Sequence, residues 1–261
     1  MNSSKFIGES MPNILVNTLF VAFLIIFGVT PVFSACEDEA APAVNWANCD
    51  FTGKDFKNID LTDAVLTGAD FSNADFSAAI LENADFNFSK LENTRFDGAR
   101  MSNARLLAVK AQGASFKNAV LEHSRLSRSN LNNADFSGVR ADGTNFYDAK
   151  LESAIFTDAR LHKANFERSQ LKRARFERAI LSHSIFREAR LHETIFIKAD
   201  MSKAILDESD CRGADFTEAN LTKASFRQAE IEESIFTGAI LSDTTWSNYK
   251  RCRASSIGEC Q

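Results

Sequence analysis

Histidine, cysteine and the carboxylates are where chemistry would be expected, and the chain places them sparsely. Its four histidines are His123, His162, His183 and His192, and its five cysteines are Cys36, Cys49, Cys211, Cys252 and Cys260. A metal site needs three or four converging ligands, and no third ligand joins His162 and His183 at a metal-site spacing. No Cys-x-x-Cys pair, Gly-rich phosphate loop or nucleophile elbow is present. Acids are plentiful, but Asp70, Asp75, Asp85, Asp135 and Asp215 recur at one place, just before an apolar residue. That repetition suits backbone hydrogen bonding at turns rather than paired acid–base work. The expectation is a non-enzymatic protein with no catalytic residues, metal, cofactor or small-molecule substrate.

The element that positions these residues is a repeat. Every fifth residue from Phe51 to Trp246 is apolar, Ala111 and Ala141 included. Five residues turn ~500° on an α-helix, so the stripe would drift around it. On a flat strand an odd period alternates faces. One face stays buried only if the chain bends once per repeat. Every twentieth residue from Phe56 is phenylalanine: Phe56, Phe76, Phe96, Phe116, Phe136, Phe156, Phe176, Phe196, Phe216 and Phe236. The column half a coil away is mixed, as Leu66, Phe86 and Leu106 show. Four bends therefore close one square coil, and the phenylalanines form a core ladder along one inner wall. About ten coils at strand spacing would give a rod ~45–50 Å long. In this register His162 and His183 fall on adjacent coils in neighbouring columns, while His123 and His183 share a column three coils apart. Exposed surface histidines are the simpler reading.

Two residues before each apolar centre the side chain is small, as at Ala64, Ala69, Ala74 and Ser89. Where the centre shrinks to Ala111 and Ala141, this position grows to Val109 and Val139. Such a volume swap within one layer is what cores tolerate best, so both positions are expected to point inward. Cys211 lies in the centre register and reads as a small core residue.

Segments such as Ala69-Asp70-Phe71-Ser72-Asn73, Ala84-Asp85-Phe86 and Ala219-Asn220-Leu221-Thr222 resemble the A(D/N)LXX consensus of pentapeptide repeat proteins. The resemblance covers residues 49–246. It implies an all-β fold, a right-handed quadrilateral β-helix, in agreement with the coil read from the spacing. The family includes members that mimic duplex DNA and bind DNA gyrase, and fold alone does not select that role.

Residues 1–35 differ from the repeat. Lys5 precedes an apolar run, Ile14 to Phe33, then Ser34 and Ala35. This reads as a secretory signal cleaved after Ser34, with Val32 third from the cut; a cut after Ala35 would put bulky Phe33 there and fits worse. The run over 14–33 is also about long enough for an uncleaved membrane anchor. Phe33-Ser34-Ala35-Cys36 loosely resembles a lipobox, which would lipidate Cys36. Cys36 and Cys49 bracket the start of the repeats, however, and Cys252 and Cys260 bracket the end. A disulfide within each pair would close a loop over an exposed coil edge in an oxidising compartment. Asn45-Trp46-Ala47-Asn48-Cys49 and Ser256-Ile257-Gly258-Glu259-Cys260 also resemble the ends of exported pentapeptide repeat proteins. The domain reading is signal or anchor over 1–35, a cap over 36–48, repeats over 49–246 and a second cap over 247–261.

The net charge of −5 conceals an asymmetry. Acids exceed bases over 36–100 and 201–261, and bases exceed acids over 101–200. Arg168, Lys172, Arg173 and Arg175 crowd adjacent coils, and one outward column carries Lys90, Lys110, Lys150 and Arg190. These form a candidate docking band for an anionic partner, a protein above all; interleaved acids make a solvated surface the plainer alternative. A mimic of the phosphate backbone would be acidic along its length, which disfavours a cytoplasmic gyrase binder, and nucleic acid is not the expected partner. Outward isoleucines, Ile155, Ile195 and Ile235 in one column, Ile185 and Ile205 in a second, Ile180 and Ile240 in a third, either suit exposed strand positions or form a stripe for homodimerisation. The expected role is a rigid binding or structural rod, exported to the bacterial envelope, with membrane contact only through the first segment.

Overall fold

The computed structural model describes residues 36–261. The signal or anchor expected over 1–35 lies outside the described residues.

One five-residue unit recurs along the chain, and Phe71–Asp75 illustrates it. Phe71 is buried, Ser72 and Asn73 form a turn, Ala74 is buried, and Asp75 bridges to neighbouring coils. The Ala74 amide donates to the Phe71 carbonyl at 2.9 Å and closes the turn. Asn73 sits at φ 61°, the left-handed value that the second central residue of a type II turn requires. Asparagine and glycine tolerate it best, and the first half of the chain uses them at Asn73, Asn83, Asn93 and Gly98. Later repeats place Lys163, Arg168, Arg173 and Glu188 in the same conformation. Their charged ends are thrown outward at the corners.

Each bridging residue pairs in parallel with residues twenty before and twenty after it, as in Asp55↔Asp75 and Asp75↔Arg95. The Arg95 amide donates to the Ala74 carbonyl at 3.0 Å, and the Arg95 carbonyl accepts from the Phe76 amide at 2.7 Å. The corners add a third bond per repeat, such as the Ala78 amide to the Asp97 carbonyl at 2.9 Å. Two turn residues and two inward residues leave one residue per side to bridge, so the β structure consists of single-residue bridges stacked into ladders rather than extended strands.

The interior is filled. Phe116, Phe136, Phe156 and Phe176 stack face to face at 4.7 Å. Phe146 meets Phe156 edge-on at 5.8 Å and 86°, a favourable aromatic geometry. Phe56 is buried at the first coil and Phe236 is partly exposed at the last. Val109 and Val139 are buried beside Ala111 and Ala141. Most hydroxyls at the small position find carbonyls, Ser184 Oγ being buried without a partner: Ser89 Oγ donates to Phe86 at 2.6 Å, and Thr94 Oγ1 reaches Phe71 on the preceding coil at 2.8 Å. Satisfied in this way, a buried hydroxyl avoids the penalty of an unpaired polar group.

Both ends are closed by disulfides. Cys36 bonds Cys49, and Cys252 bonds Cys260. Trp46 packs on Phe51 and Phe56 at 4.6 and 5.4 Å. The coil geometry starts at Asn45, which bridges Val65, ahead of the first A(D/N)LXX-like unit. At the other end the chain reverses and makes antiparallel bridges, Ile240↔Ile257 and Thr245↔Arg251. This cap covers Leu241 and Trp246 through the Ser256 and Lys250 carbonyls.

Candidate functional site

The candidate surface is built from two outward positions per repeat, the bridging residue and the second turn residue. Bridges stack Lys90, Lys110, Asn130, Lys150, Gln170 and Arg190 into one column that continues to Asp210. Lys90 Nζ pairs with Asp70 at 2.9 Å. Among the described residues Lys110, Lys150 and Arg190 make no ion pair. Arg168 is held by Glu188 at 2.8 Å and donates to the Tyr147 hydroxyl at 3.1 Å; these contacts push its pKa further up. Arg175 pairs with Glu177 at 2.7 Å. Lys172 lines a shallow groove with Glu152, His192, Asp210 and Glu232, and Arg173 sits on the adjoining corner. Arg160 and Arg178 are likewise taken by Asp142 and Asp158, at 2.9 and 2.7 Å. Lys90, Arg160, Arg168, Arg175 and Arg178 are thus taken by acids, most of them about one coil away, whereas Lys110, Lys150 and Arg190 stay unpaired, so the central basic band is neutralised only in part.

The recurring aspartates do structural work. Asp70, Asp85, Asp135 and Asp215 each accept the amide two residues on, at 2.9–3.0 Å, the Asx-turn role expected of them. At Asp70 partial burial works to raise the pKa, but Lys90 and the Ser72 hydroxyl and amide overcome it and bring it to about 2.

The histidine rings of His162 and His183 approach to 5.3 Å at 76°. His162 Nδ1 lies 2.8 Å from Ser182 Oγ. Desolvation of its ring, then Lys203, His162 and Lys163, push the His183 pKa down. No group of three His, Cys, Asp or Glu able to hold a metal occurs among the described residues. His192 sits 3.2 Å from Glu193. Cys211 is buried, and burial pushes its thiol up to about 12. Two of the isoleucine columns are interrupted: Ile155, Ile195 and Ile235 alternate with Arg175 and Asp215, and Asp200 and Asn220 separate Ile180 from Ile240, while Ile185 bridges Ile205 directly.

Runs along the chain do not reveal one basic column. Lys163, His183, Lys203 and Lys223 occupy the same corner of successive coils, all exposed and without an ion pair among the described residues. Taking every twentieth residue at the second turn position exposes this column, whereas linear charge counts do not.

These features define a repeat solenoid with a filled core, satisfied corners and capped ends. A profile described as "Pentapeptide repeat region" matches residues 42–116 and 111–186. Another, "Pentapeptide repeats (8 copies)", matches 169–207 and 204–243. The chain belongs to the pentapeptide repeat family, whose fold is a right-handed β-helix. Similar solved structures include HetL, a pentapeptide repeat protein involved in heterocyst differentiation regulation in the cyanobacterium Nostoc, at 24% identity and TM-score 0.33, covering 77% of this chain and 92% of that one. Trypsin-treated QnrB1, a plasmid-mediated fluoroquinolone resistance protein, matches at 20% identity and TM-score 0.48, over 81% and 89%. A pentapeptide repeat protein of the Arabidopsis thaliana thylakoid lumen matches at 26% identity and TM-score 0.18, over 60% and 70%. No curated protein sequence matches the chain.

Proposed function

We propose that this chain is a non-enzymatic, exported pentapeptide repeat protein, a rod of about ten coils that acts through its faces as a binding or structural element of the bacterial envelope. The observation that carries this reading is the disulfide at each end, since such bonds persist in oxidising compartments. The signal-like sequence of residues 1–35 supports export. The stacked phenylalanines leave no internal space for a substrate, so the outer faces carry any interaction. Lys90–Asp70, Arg105–Asp85 and Arg168–Glu188 pairs along the length oppose the uniform acidity that DNA mimicry and gyrase binding would need.

The test is the intact mass of the protein from fractionated native cells, with and without reduction before alkylation. The expected result is an envelope species starting near Ala35, with four cysteines blocked until reduction. A full-length, fully reduced chain in the cytoplasm would overturn the proposal.

A further inference from the structure

We infer that the last coil, over residues 229–236, is an open β edge that receives a short basic segment of a partner protein, added in parallel as one more rung of the ladder. The site lies at the end of the rod and goes beyond the binding faces proposed above. One coil earlier the amides at these positions are paired. Cys211 donates to the Glu230 carbonyl at 2.8 Å, Gly213 to Glu232 at 3.0 Å, and Phe216 to Ile235 at 2.7 Å. The corresponding amides of Ile231, Glu233 and Phe236 donate to nothing among the described residues, and the carbonyls of Ala229 and Ser234 accept nothing there.

The C-terminal cap accounts for the gap. The Leu241 amide reaches Ser256 at 2.9 Å, Cys252 reaches Thr244 at 2.8 Å, and Trp246 reaches Lys250 at 2.7 Å. The cap thus closes the sides built on Ile240 and Thr245 and leaves those built on Glu230 and Ile235 uncovered. Ile235 is 47% exposed, and Ile231 and Phe236 are only partly buried, whereas Cys211 and Phe216, one coil earlier, are fully buried.

Two properties of the edge select its occupant. Free acceptors and free donors alternate along it, the carbonyls of Ala229 and Ser234 with the amides of Ile231 and Phe236. A polypeptide main chain answers both, whereas a small anion answers only the amides. Charge then sets the sequence of the segment. Within the rod, bases bridge acids one coil away, as Lys90 pairs with Asp70 and Arg105 with Asp85, each at 2.9 Å. Glu230, Glu232 and Glu233 stand exposed on the open edge. Arg212 reaches Glu230 at 3.2 Å, while Glu232 and Glu233 have no ion pair among the described residues. A basic residue bridging Glu230, with a second over the Glu232–Glu233 corner, continues the pattern. A second copy of this chain does not. Stacked end to end, it would bring its exposed first-coil acids, Asp50, Asp55 and Asp60, against these glutamates, and like charges directly opposite are destabilising. Acids on an edge can also serve only to keep strands apart, in which case no basic segment binds.

The test uses the full chain with both disulfides formed. Hydrogen exchange of the protein alone should find the Ile231, Glu233 and Phe236 amides unprotected and those of Cys211, Gly213 and Phe216 protected. The probe is the end-blocked peptide Ala-Lys-Leu-Lys-Asn-Ala-Ile-Leu, which sets lysines against Glu230 and Glu232 and asparagine at the turn. Followed by NMR, it should bind and protect Ile231 and Phe236. Methylating the main-chain nitrogens of its first lysine and its isoleucine keeps the charge but removes the donors to Ala229 and Ser234, and should weaken binding about tenfold. The Glu232→Gln, Glu233→Gln protein should bind the unmodified peptide about fivefold more weakly, and the control Glu37→Gln, Glu39→Gln, exposed at the opposite end, should stay within about twofold. Melting curves establish that both variants fold. Protection of Ile231 and Phe236 in the free protein, no binding at about 1 mM peptide, equal binding of the methylated peptide, or equal loss in both variants would overturn the proposal.

Discussion

Truncating Phe156 probes the core most directly. Phe156 is fully buried, stacked at 4.7 Å on Phe136 and Phe176, and met edge-on by Phe146 and Phe166 at 5.8 and 5.7 Å. A buried Phe→Ala change costs about 3–5 kcal/mol where the site cannot collapse. Here collapse is resisted, because the Phe156 amide is pinned to the Arg175 carbonyl at 2.6 Å and the coils above and below are pinned likewise. Losing two stacked and two edge contacts, each worth about 0.5–1.5 kcal/mol beyond burial, puts Phe156→Ala toward the top of that range. Phe236→Ala, at the partly exposed end of the same ladder, should cost about half as much, since less apolar area leaves water there. The assay is urea unfolding followed by fluorescence in Trp46→Phe and Trp246→Phe backgrounds, which report the two ends of the rod separately. A loss below about 1 kcal/mol for Phe156→Ala, or equal losses at the two positions, would refute the stacked core.

Other perturbations test the remaining features. Reducing Cys252–Cys260 should lower stability by about 2–3 kcal/mol, with hydrogen-exchange protection lost at Leu241 and Trp246 and retained at mid-rod. Asp70 titrates at about 2 when folded, below its ordinary 3.8, so its stabilising contribution is present above pH ~4 and fades as pH falls toward 2. Lys90→Gln should raise the Asp70 pKa in a carboxylate NMR titration. Cys211, buried and pushed up to about 12, should resist maleimide in the folded protein and react as a single thiol in non-reducing denaturant. Phe88 stands exposed at φ 62°, a strain of about 1–2 kcal/mol for a side-chain-bearing residue. Phe88→Gly should therefore raise the melting temperature, and a fall would count against the turn geometry.

The repeat register was legible because it depends on side-chain volume alone. Phe156 and Leu161 stand at the apolar centres, Ala164 at a position that takes only small side chains, and the compensating Val109–Ala111 and Val139–Ala141 pairs betray a shared layer. The terminal disulfides were legible from spacing around the repeat. The surface was less so. Arg168 and Arg175 read as a patch along the chain, yet their charges are settled by Glu188, one coil above, and Glu177, two residues on. A run of sequence mixes four faces of the coil, so residues that share a face stand twenty apart. The reduction of strands to single bridges was also hidden, because it follows from how many residues the type II turn consumes.

The bridge between residues twenty apart links chain length to orientation. Inserting twenty residues adds a coil and leaves every downstream face pointing where it did. Inserting five preserves the buried stripe and the turns, so the rod still closes, but it rotates everything after the insertion by a quarter turn. Lys163 and Lys223 would then stand on different edges. Such an insertion keeps the repeat but shifts the phenylalanine column and divides any surface that spans several coils, so the angular phase between segments is a quantity on which selection can act separately from the repeat itself.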